Sequence, residues 1–358
     1  MDYTGRQQRL AQALDGLKLD ALLVTHAVNV RYVCGFTGSN AVLVAGPRRC
    51  ILLTDGRYAE QANAEAQNVR VVIARGALLP EAAKILKKQR TAAAGIEAEH
   101  MPVAQRSILR GLLPKKVRLR ETTGVVEQLR MMKEAAEISN LRQSVLLGAR
   151  LFDTALEAVR PGVREIGVAA ELEYAARRLG AEAMAFDTIV AAGRRSALPH
   201  GRASAAPIPA RGFVVLDWGV KLAGYCSDQT RTVHVGTPDS EMRGQYMAVR
   251  EAQQAAMEAV RAGATAGDVD RAARQALQHS GLARYFTHST GHGVGLEIHE
   301  APRLGKGLHE RLRAGMIVTI EPGVYVPGKG GVRIEDMLCV TETGCEVLTP
   351  TTRELITL

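Results

Sequence analysis

Gly212-Phe-Val-Val-Leu-Asp-Trp-Gly219 is followed, after a short loop near Lys221–Gly224, by Gly224-Tyr-Cys-Ser-Asp-Gln-Thr-Arg-Thr-Val-His-Val235. Both stretches are apolar and β-rich, yet each carries one acid in its interior, Asp217 and Asp228. A hairpin centred between Leu222 and Ala223 sets the two acids directly opposite one another, where cross-strand Cβ atoms stand about 4.5–5.5 Å apart. The arrangement then returns. Met316-Ile-Val-Thr-Ile-Glu-Pro-Gly-Val324 and Gly331-Val-Arg-Ile-Glu-Asp-Met-Leu-Cys-Val340 are joined through Pro327-Gly-Lys-Gly330, and a hairpin centred on Gly328 sets Glu321 against Glu335. Pro322 has no N–H to donate, so a fully regular ladder is not expected beside Glu321.

Two ionised carboxylates facing each other among apolar strands repel, and their desolvation adds to the cost. Protonation is one escape and a cation is the other. A pair in each of two related segments favours cations, since four carboxylates supply −4, enough for two divalent ions at the ~3.5–4 Å spacing of binuclear hydrolases.

The flanking sequence also repeats. Ala155-Leu-Glu-Ala-Val-Arg-Pro-Gly162 matches Ala256-Met-Glu-Ala-Val-Arg-Ala-Gly263 at six of eight positions, offset by 101, and the shorter helical patterns that follow stop at Gly180 and Gly281. Two similar halves packed face to face are expected. The first half opens on a long helical pattern over about Lys133–Val159, with Ile138, Leu141, Val145, Ala149, Phe152 and Leu156 on one face.

Upstream, short apolar runs alternate with helical patterns. Arg9–Leu17 and Pro80–Leu86 read as helices; Ala21–Val24, Ala41–Val44, Ile51–Leu53 and Val69–Ile73 read as strands. The expectation is α/β (α+β) with a mixed sheet in a first domain, 1–128, and the duplicated acidic hairpins in a second, 129–358. A chain of 358 residues is long enough for two domains.

Of the net charge of +9, residues 1–128 carry +8, from 19 Lys+Arg against 11 Asp+Glu. No aromatic interleaving or reader motif accompanies this charge, so a solvated basic surface is expected rather than a nucleic-acid site. Five scattered cysteines without a CxxC pair argue against a disulfide framework and against a thiolate zinc site. Neither a signal-peptide pattern nor an apolar run of about 18 residues is present, so a membrane partner is not expected and the protein reads as cytoplasmic.

Histidines cluster in Thr287-His288-Ser-Thr-Gly-His292-Gly-Val-Gly-Leu-Glu-Ile-His299-Glu300, and His200 lies in the turn-rich Ser196-Ala-Leu-Pro-His-Gly-Arg202. Imidazole serves as metal ligand or proton shuttle near neutral pH. His292 and His299 are an odd number apart, so a regular strand would point them to opposite faces. Either the glycines reorient His292 or only one of the two reaches the site.

Taken together, Leu216–Gly219, Tyr225–Thr232, Gly291–Gly295, Ile320–Gly323 and Val332–Asp336 resemble, in order and spacing, the pita-bread metallopeptidases, which include Xaa-Pro aminopeptidase, prolidase and methionine aminopeptidase. Asp20–Asn40 and Leu53–Tyr58 resemble the N-terminal domain shared by the proline-specific members and creatinase, and Phe186–Gly193 through His200-Gly201 resembles the proline-specific members. The resemblance implies five metal ligands: Asp217, Asp228, His292, Glu321 and Glu335. Asp228 and Glu335 would bridge two divalent ions, Asp217 completing one site and His292 with Glu321 the other. It makes His200, His299 and Glu321 catalytic, assigns His200, His288, His299 and Arg333 to substrate binding, and implies a homodimer.

An oxygen-rich shell with one imidazole suits Mn²⁺, with Zn²⁺ or Co²⁺ also accommodated. The expected activity is hydrolysis of the Xaa-Pro bond at the N-terminus of peptides, with a metal-bridged water as nucleophile, that is, an Xaa-Pro aminopeptidase. The alternative is a prolidase restricted to Xaa-Pro dipeptides. A more distant one is a non-catalytic binding protein on the same fold, against which the intact ligand set argues. Methionine aminopeptidase normally lacks this N-terminal domain, and creatinase lacks the metal acids.

Overall fold

A computed structural model describes residues 1–358, which divide into two compact units, Met1–Arg130 and Met131–Leu358.

The first unit is a mixed six-stranded sheet. Its strands are β1 (Ala21–Val24), β2 (Ala41–Ala45), β3 (Cys50–Asp55), β4 (Val69–Ala74), β5 (Ala93–Glu97) and β6 (Arg118–Thr122), in the order β4-β3-β2-β1-β5-β6. β1, β2 and β3 pair antiparallel; β4, β5 and β6 join parallel to their neighbours. Five helices accompany it: α1 (Tyr3–Gly16), α2 (Ala27–Cys34), α3 (Ala59–Glu65), α4 (Leu78–Lys88) and α5 (Val103–Leu112). Leu23, Val44, Leu53, Leu86 and Ile96 are among the apolar side chains buried with the sheet. α6 (Val125–Met131) follows β6.

The second unit is built twice. Helices α7 (Ala135–Ala158) and α8 (Glu165–Arg178) open the first half; α9 (Ser240–Ala259) and α10 (Ala266–His279) open the second. α8 and α10 start and stop 101 residues apart, and α7 and α9 end 101 apart. The turns between the helices contain Gly162 at φ 84° and Gly263 at φ 87°, a backbone conformation in which a side chain would be strained. Each helix pair covers its own apolar core, one around Leu151, Leu172, Leu216 and Trp218, the other around Val249, Val269, Val318 and Leu338.

In the first half, β7 (Ala183–Met184), β8 (Ile189–Ala192), β9 (Gly212–Trp218), β10 (Val220–Leu222), β11 (Tyr225–Cys226) and β12 (Gln229–Val235) form two small sheets, β11-β10-β7 and β12-β9-β8. The strands anticipated as continuous are therefore interrupted, β9/β10 at Gly219 and β11/β12 at Ser227-Asp228. The hairpin also turns one residue later than the spacing suggests. Leu222 pairs with Tyr225, and Ala223 and Gly224 make the turn with φ of 49° and 81°. A two-residue turn with both φ positive matches strand twist. Asp217 consequently faces Thr230, and Asp228 falls in the break beyond. The two acids are not directly opposed.

The second half forms the five-stranded sheet β14-β13-β15-β18-β19 and the hairpin β16-β17. Its strands are β13 (Gly291–Gly293), β14 (Glu300–Leu304), β15 (Ile317–Ile320), β16 (Gly323–Val326), β17 (Gly330–Arg333), β18 (Asp336–Val340) and β19 (Cys345–Val347). Gly323 faces Arg333 and Ile320 faces Asp336, so one register centred on Gly328 runs through both strand pairs. Glu321 and Glu335 oppose each other in the gap between them. As expected from Pro322, the ladder breaks there.

Candidate metal centre

The breaks in the strand pairs open a cavity of about 680 Å³ whose wall includes Asp217, Asp228, His292, Glu321 and Glu335, together with His200, His288, His299 and Arg333. Residues from both halves converge on it. Thr230 of β12 links the halves: Glu335 N–H donates to its carbonyl at 3.1 Å, and its Oγ1 donates to Glu335 Oε2 at 2.7 Å. Arg231 and Asp336, both buried, pair at 2.6 Å beside this contact, and Arg231 Nη1 also donates to the Glu335 carbonyl at 2.6 Å.

Asp228, His292 and Glu335 bring one ligand atom each to within 4.8 Å of the others. His292 Nε2 lies 3.5 Å from Asp228 Oδ2 and 3.8 Å from Glu321 Oε1. Its Nδ1 stands 3.0 Å from the Gly293 carbonyl, which fixes the ring with Nε2 toward the acids. The register of β13 against β14 shifts between His292 and Gly293, and the loop that follows brings the rings of His292 and His299 to 4.5 Å, edge to face. Both imidazoles reach the cavity.

The electrostatics follow from burial. Desolvation, then the charges of Glu335, Asp217 and Glu321, hold the Asp228 carboxyl well above the usual range. Desolvation and the charges of Glu321 and Asp217 do the same to Glu335. Glu321 is pushed up to about 8, mainly by burial. Asp217 is raised by burial despite the adjacent Arg333 guanidinium. Burial pushes His292 down to about 4, which leaves the imidazole neutral and its lone pair free to ligate. Asp217 Oδ1 is buried without a hydrogen-bond partner, while its Oδ2 accepts from Arg333 Nη2 at 2.6 Å. Acids that repel, a neutral imidazole and an orphaned carboxylate oxygen all fit divalent cations of the oxygen-preferring kind.

Arg333 is committed to the protein. Besides Asp217 it donates to Thr230 Oγ1 at 3.1 Å, to Tyr325 Oη at 2.7 Å and to the Pro199 carbonyl at 2.9 Å, next to His200. Tyr325 Oη also meets His288 Nε2 at 2.9 Å. Burial pushes the Tyr325 phenol up to about 12 and His288 down to about 4, so both are neutral at pH 7. His200 and His299 are exposed at the mouth of the cavity.

Two contributors were not singled out from the sequence. Tyr325 gave no motif signal. Arg303 pairs with His292 across β13 and β14, which places it on the same face and into the cavity wall. Its Nε donates to Ser289 Oγ at 2.6 Å, and no acidic side chain pairs with it.

Known families match both units of the chain. Metallopeptidase family M24 matches residues 139–342, and the Creatinase/Prolidase N-terminal domain matches residues 6–132. The chain is 38% identical over 355 residues to the Xaa-Pro dipeptidase of Pyrococcus furiosus, covering 98% of this chain and 99% of that protein. Among solved structures, the Xaa-Pro dipeptidase from Bacillus anthracis superimposes with a TM-score of 0.97 at 40% identity, covering 99% of this chain and 100% of that one. The X-Pro aminopeptidase from Thermotoga maritima gives a TM-score of 0.90 at 33% identity, covering 97% and 100%. No helix is long and apolar enough to cross a membrane. With its duplicated pita-bread unit and creatinase-type N-terminal domain, this chain belongs to the M24 metallopeptidase family.

Proposed function

We propose that the protein is a metal-dependent Xaa-Pro dipeptidase, and that Asp217, Asp228, His292, Glu321 and Glu335 hold two divalent cations, Mn²⁺ foremost. The names of the Pyrococcus furiosus and Bacillus anthracis relatives favour this over the aminopeptidase reading that the sequence motifs preferred.

The observation that carries the dipeptide preference is Arg303. It is a cation without an acidic partner, held to the cavity wall through Ser289 and set on the same face as His292. A planar guanidinium suits bidentate capture of a carboxylate, and a dipeptide presents its free carboxylate one residue beyond the scissile bond. Arg333, with its nitrogens already given to Asp217, Thr230, Tyr325 and Pro199, contributes by fixing Asp217 and the His200 segment.

When bound, the cations supply a water made acidic enough to attack at neutral pH and polarise the scissile carbonyl. Glu321 accepts the proton of the attacking water. His299 and His200 donate hydrogen bonds to the oxygen that gains charge, and His299 delivers a proton to the proline nitrogen as the bond breaks. Neutral His288 and Tyr325 form part of the pocket beside Arg333. A homodimer located in the cytoplasm completes this reading.

Comparing an Xaa-Pro dipeptide with an Xaa-Pro-Yaa tripeptide tests it. Preference for the dipeptide, with Arg303→Met raising KM for the dipeptide at least tenfold, supports the dipeptidase. Equal or better cleavage of the tripeptide returns the assignment to an Xaa-Pro aminopeptidase.

A further inference from the structure

We propose that Lys133 is a positioning residue for His299, acting through a buried ion pair with Glu300. This rests on the role given to His299 above. Lys133 Nζ lies 3.1 Å from Glu300 Oε2, with the side chains only 1% and 6% exposed. Glu300 is the first residue of β14 and directly follows His299. Its other oxygen accepts from Glu297 N–H at 3.1 Å, and both oxygens pack against Gly295, where an added Cβ would stand 2.6 Å from each. The loop 294–299 thus closes around the Glu300 carboxylate. Gly295 N–H donates to the Glu297 carbonyl, and the Gly295 carbonyl accepts from Cys226 N–H.

Lys133 is itself anchored, its N–H donating to the Gly315 carbonyl at 3.1 Å two residues ahead of α7. Burying an ion pair contributes little net stability compared with an apolar pair of the same shape, because desolvation offsets the attraction. What the pair does supply is one defined arrangement of the loop. Without the ammonium, Glu300 Oε2 loses its cationic partner, and a buried carboxylate so deprived is drawn toward water. Moving it moves the residue before it, and a displacement of about 1 Å at a proton donor is enough to cost up to ~10²-fold in rate.

Lys133→Met keeps the length and removes the charge. On the metal-loaded enzyme it is expected to lower kcat about 10- to 100-fold, with KM and metal content at wild-type values. Lys133→Met/His299→Ala is expected to be no slower than His299→Ala, and Glu300→Gln provides the same test from the other partner. A wild-type kcat below the melting temperature of Lys133→Met, or losses that multiply in the double variant, overturns the proposal. A crystal structure of Lys133→Met provides a reading independent of turnover. Displacement of residues 294–299 supports the role, whereas a loop and His299 ring superimposing on wild type refute it even if the wild-type protein proves inert on Xaa-Pro substrates. That inertness would sink only the dipeptidase reading.

Discussion

Removing the cations should make the C-terminal unit less stable as pH rises through neutrality, the reverse of what paired surface acids do. In the metal-free protein burial holds the Glu321 carboxyl at about 8, against an ordinary value near 4.5, so between these values the folded state keeps a proton that the unfolded state releases. Stability then falls by about 1.4 kcal/mol per pH unit for each such proton. His288 and His292, pushed down to about 4, work oppositely: the unfolded state binds protons they refuse, so their contribution rises with pH, but at pH 6.5 the unfolded histidines are already half titrated and only about 0.4 kcal/mol each remains to be gained above it. The diagnostic window is therefore pH 6.5–8. Across it Glu321 alone accounts for a loss of roughly 2 kcal/mol, and Asp228 and Glu335, both held well above the usual carboxylate range by burial and by neighbouring acids, act in the same direction.

The single tryptophan reports on this directly. Trp218 is fully buried beside Asp217, so its fluorescence during denaturant unfolding follows the unit that holds the acids. Dialysed protein should lose stability from pH 6.5 to 8, Glu321→Gln should flatten the slope, and saturating Mn²⁺ should reverse it, because cation binding displaces the protons. Stability of the metal-free protein that is level or rising across the window would refute this account of the four acids.

Other substitutions separate the roles. Asp228→Asn should abolish turnover and lower metal content after dialysis, measured by elemental analysis, since it removes a carboxylate proposed to bridge the two ions. His299→Ala should reduce kcat by about 10²–10⁴-fold with metal content unchanged, as expected for a lost proton donor; an emptied site would reassign it as a ligand. Thr230→Val deletes the hydrogen bond to Glu335 Oε2 and the acceptor for Arg333 Nε. A hydrogen bond to a charged group contributes about 1.5–3 kcal/mol, so metal affinity by competition with a chelator should weaken by roughly 10- to 100-fold.

The sequence carried much of this architecture. Duplication was visible because helix-ending glycines recur at a fixed offset, and the structure repeats α8 as α10 at that same offset. The second hairpin was legible because Pro327-Gly-Lys-Gly330 centres its own turn, which leaves Glu321 opposite Glu335. The first was not, since Ala223-Gly224 lacks the Asn-Gly or Asp-Gly signal of a turn with positive φ, and a displacement of one residue in its centre moved Asp217 opposite Thr230. His292 and His299 could not be placed from alternation, because the register shift at Gly293 and the loop after it obey no period. Helix α2 went unread within an apolar stretch that also suits a strand. Arg303 escaped notice because its meaning depends on what it pairs with, and only the fold shows that this is His292 rather than an acid.

The account rests on two cations among these side chains, and anomalous scattering from a crystal grown with Mn²⁺ tests that most directly. Two peaks about 3.5–4 Å apart, with Asp228 and Glu335 touching both, Asp217 one, and His292 with Glu321 the other, is the predicted result. No peak, or a lone peak distant from Asp217 and Asp228, would contradict it.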